Sequence, residues 1–161
     1  ATRAAMGDAY PDGAVDDVLF WMADEGRLGR KAGAGFYAYD EKGKRTGLWE
    51  GLAEKYPHTE NPELSLVQHR LMMAQVLEAV RALEEGVLED IREGDVGAIL
   101  GWGFAPWSGG PFSWLDMIGA AKAVEICEGL EGDRFAVPAL LRDMAENEQN
   151  FYERFAKAQA A

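Results

Sequence analysis

Two imidazoles, His58 and His69, and one thiol, Cys127, are the residues of this chain best suited to acid–base or nucleophilic work. None has a partner at useful spacing. A catalytic histidine needs an orienting carboxylate and a reacting group within hydrogen-bond reach. His58 follows Tyr56-Pro57 in a loop. His69 falls on the apolar side of a long predicted helix, three residues after Leu66 and four before Met73. Both read as packed or surface histidines. Cys127, between Ile126 and Glu128, has no basic neighbour to lower its pKa and reads as a small buried residue. Two separated histidines do not make a metal site, and no catalytic residue is assigned.

Glycine-rich turns could cradle phosphates. Gly33-Ala-Gly35 and Gly101-Trp-Gly103 lack the third glycine and the βαβ setting of a dinucleotide site. Lys31 stands in no phosphate-loop pattern. Arg27, Arg30 and Lys31 are the dense basic cluster of an acidic chain. They could contact an anion, such as a phosphate or carboxylate of a ligand or partner domain. The favoured reading is a solvated loop that balances nearby acids, because exposed charge pairs are usually worth little.

The segment 94–119 holds Gly, Pro and three Trp in close succession. Each glycine there costs backbone entropy, so the run needs a structural reason. Trp102, Trp107, Phe112 and Trp114 could make one apolar face. Large aromatics at such spacing anchor a core or an interface.

The 161 residues amount to one domain, or one domain plus an appendage. With 48% hydrophobic residues a core can form, and a net charge of −12 argues against nucleic acid or an anionic membrane as partner. One cysteine excludes an internal disulfide and fits a reducing, cytoplasmic setting. No stretch reaches the roughly 20 apolar residues of a membrane span, and no signal peptide is visible. The first residue is not Met, so either Met was removed or the chain is a piece of a longer polypeptide.

These residues must be carried by helices. Residues 1–13 read as linker. Val15, Val18, Leu19 and Met22 recur at helical spacing over 14–25, with Gly26 as the stop. Phe36–Tyr39 has strand character, and 40–43 can turn it into a hairpin. Asn61-Pro62 predicts the start of the longest helix, with stripe Leu66, Met73, Val76, Val80, Leu83 and an end at Gly86. Glu84 and Glu85 sit at that helix end, where the dipole disfavours acids. Asp95 is a candidate cap for a short helix through Leu100. Further helices are expected over 112–118, 120–130 with Val124 and Cys127 inward, and 139–148, followed by an aromatic tail of Phe151, Tyr152 and Phe155. The expectation is an all-α domain of about five helices with one small hairpin.

Two spaced motifs carry a resemblance. Gly26-Arg-Leu-Gly-Arg-Lys-Ala-Gly-Ala-Gly-Phe-Tyr37 is similar to the run that closes the first C-terminal helical domain of 3-hydroxyacyl-CoA dehydrogenases. Glu78-Ala-Val-Arg-Ala-Leu-Glu-Glu-Gly-Val87, followed by Gly101-Trp-Gly-Phe-Ala-Pro-Trp-Ser-Gly-Gly-Pro-Phe112, resembles the second, duplicated helical domain. The chain most resembles the multifunctional α-subunit of the fatty acid β-oxidation complex, over about 14–155. The resemblance implies a helical fold like the C-terminal domain of 6-phosphogluconate dehydrogenase. It implies that 14–45 end the first helical domain and that 46–161 form the second. The parent reaction would be NAD-dependent oxidation of an L-3-hydroxyacyl-CoA, with NAD and a His-Glu pair on a Rossmann domain not matched here, and possibly an enoyl-CoA hydratase domain before it.

By that resemblance this piece is a scaffold that binds no cofactor itself. Its partners would be the NAD-binding domain and the first helical domain, acyl-CoA through the parent, and possibly a thiolase subunit; an isolated copy would form a homodimer. The alternative is a stand-alone non-catalytic module for interaction or acyl-CoA binding. One departure stands out: the family often has Asn where this chain has Leu77.

Overall fold

A computed structural model describes residues 2–7, 10, 13–57 and 61–155. His58 lies outside the described residues. Of the described residues 64% are helical, and one antiparallel hairpin joins them, as the periodicity predicts. The chain divides into two compact units, residues 1–61 and 62–161, described separately below.

The first unit holds helix α1 (Thr2–Met6), within the stretch expected to be linker, and α2 (Ala14–Asp24). Next come a 3₁₀ turn at Arg30–Ala32, strands β1 (Tyr37–Tyr39) and β2 (Arg45–Leu48), and α3 (Glu50–Lys55). Tyr37 pairs with Leu48 and Ala38 with Gly47, and the register slips before Tyr39 meets Arg45. Asp40 sets the turn, because its carboxylate accepts the backbone N–H groups of Lys42 and Lys44. Trp21 stacks on Trp49 with centroids 5.3 Å apart, which ties α2 to the chain leaving the hairpin. Residues 46–57 therefore pack with the first unit.

The second unit is a helical cluster. Helix α4 (Leu64–Glu84) takes Glu63 as its N-cap, two residues beyond the expected Asn61 cap. Its buried stripe is Met73, Val76, Leu77 and Val80, and Leu66 is exposed. Leu77 is fully buried in an apolar setting, so packing occupies the position where the family often carries Asn. Glu84 has a job at the helix end: its carboxylate accepts the Leu140 N–H at 3.0 Å, capping a later helix.

Helix α5 (Ile91–Trp102) is capped by Asp90, not by Asp95 as the sequence suggested. The reason is register: the helix begins a turn earlier, and Asp95 is left in its middle. Helices α6 (Pro111–Ile118), α7 (Ala120–Glu128), α8 (Ala139–Glu146) and α9 (Phe151–Phe155) complete the unit. Phe104, Phe112, Leu115, Leu141, Met144 and Phe151 fill the space between them. Cys127 faces this core, and burial pushes its thiol up to about 11.

Candidate functional site

The basic loop of the first unit is built around Arg27. Its Nε donates to the Gly35 carbonyl at 2.8 Å, and Nη2 to the Tyr37 carbonyl at 3.3 Å. The guanidinium lies 4.1 Å from the Trp49 ring centroid, within cation–π range. The loop closes tightly below it, since Gly29 N–H bonds the Ala34 carbonyl at 2.7 Å. A Cβ on Gly35 would sit 2.9 Å from the Gly29 Cα. Arg27 is thus a clamp that holds loop to hairpin. Arg30 and Lys31 ride on the exposed 3₁₀ turn and face solvent. Arg27 places two of its donors on backbone carbonyls, whereas the Arg30 and Lys31 side chains are exposed on the turn.

The Trp-Gly block of the second unit resolves into a capping device. Asp95 is buried at 2% exposure. Its carboxylate accepts the backbone N–H of Phe112 at 2.7 Å and of Ser113 at 3.0 Å, at the start of α6. It also accepts the Ser113 hydroxyl at 2.6 Å and the Tyr152 phenol at 2.9 Å. A buried carboxylate needs this many donors to offset lost hydration. Gly110 makes the approach possible: its φ is 116°, and a Cβ there would stand 2.4 Å from the Asp95 Cβ. Asp95 is therefore saturated, and it holds α5, α6 and α9 in register. Sequence reasoning found it as a cap but assigned the wrong helix.

The four aromatics expected on one face divide. Phe112 and Trp114 are buried in the core of the second unit. Trp102 and Trp107 are exposed, at 62% and 73%. The helical phase of α6 turns Phe112 and Trp114 inward, so an interface can use the other two but not these. Trp102 stands at the end of α5, where its Nε1 donates to Gln75 Oε1 on α4 at 3.2 Å. Between these helices runs a groove of about 700 Å³. Alanines and glycines floor it, and Val87, Leu88 and Trp102 wall it.

His69 is half-buried on α4. Among the described residues no group of His, Cys, Asp or Glu could hold a metal ion, and no helix is long and apolar enough to cross a membrane.

No family model matches the chain. It is similar to proteins named fatty acid oxidation complex subunit alpha. One, from Shewanella amazonensis, is 42% identical over 154 residues, covering 91% of this chain and 21% of the relative. Those of Shewanella loihica and Shewanella frigidimarina are 40% and 39% identical, with 92% of this chain and 21% of each relative covered. The chain thus spans about a fifth of the length of the relatives it matches. Over nine-tenths of its own length, it belongs with one region of the fatty acid oxidation complex α-subunits.

Proposed function

We propose that this chain is the C-terminal helical part of an NAD-dependent L-3-hydroxyacyl-CoA dehydrogenase of fatty acid β-oxidation. Its task is to buttress the catalytic NAD-binding domain. NAD, the acyl-CoA substrate and the proton-abstracting pair belong to the rest of that polypeptide, and a thiolase subunit is a further partner. The cytoplasm is the expected location.

One observation carries the scaffold reading. The first unit buries one described large apolar side chain, Met22, and leaves Val15, Leu19, Leu28, Phe36 and Leu48 exposed. Helix α2 and the hairpin therefore present an apolar surface with no core behind it. Such a surface marks the edge of a larger packed body. The domain that it would complete is the first helical domain, of which 14–45 form the end.

The test is reconstitution. The purified 161-residue chain is expected to form no NADH from a 3-hydroxyacyl-CoA. Adding it to a parent α-subunit truncated before the matching region is expected to restore NADH formation. Activity of the isolated chain, or a truncated parent that is fully active and stable without it, would overturn the scaffold reading.

A further inference from the structure

We infer that the groove between α4 and α5 seats a helix from outside these 161 residues. That helix has small or apolar side chains on its docking face and Lys or Arg on its flanks. The inference deepens the scaffold reading and rests on it.

The argument starts from two glycines inside α5. Gly97 and Gly101 lie four residues apart and so share a helix face, and both are exposed. A Cβ on either would meet nothing within 4 Å. Each costs about 0.5–1 kcal/mol relative to Ala in a helix interior. Nothing in the packing of the described residues repays that cost. Gly94 is different, because a Cβ there would stand 2.7 Å from Leu88 and 2.8 Å from Phe112.

The groove lining is apolar too, with Ala74, Ala79, Ala82, Ala98 and Leu88 beside the two glycines. Val87, before α5, is 77% exposed and walls the groove. An α5 with one apolar stripe in the core and its glycines on the groove is a helix with two packing faces. Helix axes pack 8–10 Å apart, nearest where side chains are small, so Gly97 and Gly101 form a notch shaped for a second backbone.

Charge selects the occupant. Glu78, which also pairs with Arg81 on its own helix, and Glu93 line the groove, and no basic side chain does so among the described residues. A second copy of this chain would bring the same glutamates and a further net charge of −12. A helix flanked by cations meets the rim with attraction, in a setting drier than open water.

A synthetic helical peptide of about five turns, with an Ala/Gly/Leu face and Lys flanks, tests the inference against the intact 161-residue chain. The readout is anisotropy of the labelled peptide, with a Glu-flanked peptide of the same face for comparison. Saturable binding of the Lys form is expected, weakened about tenfold or more by Gly97→Leu or Gly101→Leu. Glu93→Lys is expected to weaken it without altering the fold, so a misfolded glycine variant does not decide the matter. Absence of binding, equal binding of the Glu form, or binding indifferent to all three variants would overturn the inference. So would a dimer of the free chain in sedimentation that Gly97→Leu dissociates, since a second copy would then be the occupant. Reconstitution of NADH formation fails or succeeds independently of this peptide measurement.

Discussion

The Tyr152 phenol donates to the Asp95 carboxylate at 2.9 Å, across 57 residues of sequence. Burial pushes the Tyr152 hydroxyl up from its ordinary value, so it remains a donor at neutral pH. Through this bond the last described helix is tied to the cap of α6. Asp95→Ala would leave the Phe112 and Ser113 N–H groups and the Ser113 and Tyr152 hydroxyls without their acceptor. A loss of about 3 kcal/mol in urea unfolding is expected. Tyr152→Phe removes one donor and should cost about 1 kcal/mol. Equal effects of the two variants would contradict the hub.

Glycine substitutions separate fold from docking. Gly110→Ala forces a Cβ into Asp95 at a φ of 116° and should destabilise by several kcal/mol. Gly97→Ala meets open space in regular helix and should stabilise the free chain by about 0.5–1 kcal/mol. Thermal melts of the pair check this. A destabilised Gly97→Ala would mean that the free chain itself uses the notch.

Arg27 and its basic neighbours should behave unlike one another. Arg27→Ala removes both carbonyl bonds and the Trp49 contact, and amide exchange across 29–37 should quicken about tenfold. Arg30→Ala with Lys31→Ala should leave exchange unchanged, because both side chains lie on the exposed turn. Matching effects would return all three to a single site.

Asp116 supplies a pH signature. Burial raises its pKa, although its carboxylate accepts the N–H groups of Phe151 at 2.6 Å and Tyr152 at 2.9 Å. The folded state then holds this proton more tightly than the unfolded chain. Its contribution to stability is full below the ordinary aspartate value of about 4. That contribution is lost as pH rises through the raised value. The stability of the native chain relative to Asp116→Asn should fall over that window. A difference that rises or stays flat with pH would refute the shift.

Cys127 should resist alkylation. With its thiol pushed up to about 11 and its side chain buried, iodoacetamide at mildly alkaline pH should label the unfolded chain and spare the native one. Rapid native labelling would put Cys127 at a surface.

The sequence determined by itself that this chain is helical with one hairpin, because the 3.6-residue stripe of Met73, Val76 and Val80 and the stops at Gly26 and Gly86 are local signals. Its two glycine motifs also carried the resemblance to the dehydrogenase family. Only the tertiary structure decided what the residues within those motifs do. Asp95 looks like a cap for its own helix, and the fold points it at α6. Arg27 looks like an anion contact, and the fold spends two of its donors on carbonyls eight and ten residues ahead. Phe112 and Trp114 look the same as Trp102 and Trp107 until helix phase buries one pair and exposes the other. Each of these depends on contacts between segments distant in sequence. Periodicity and caps report one segment at a time and carry no information about which neighbour it meets.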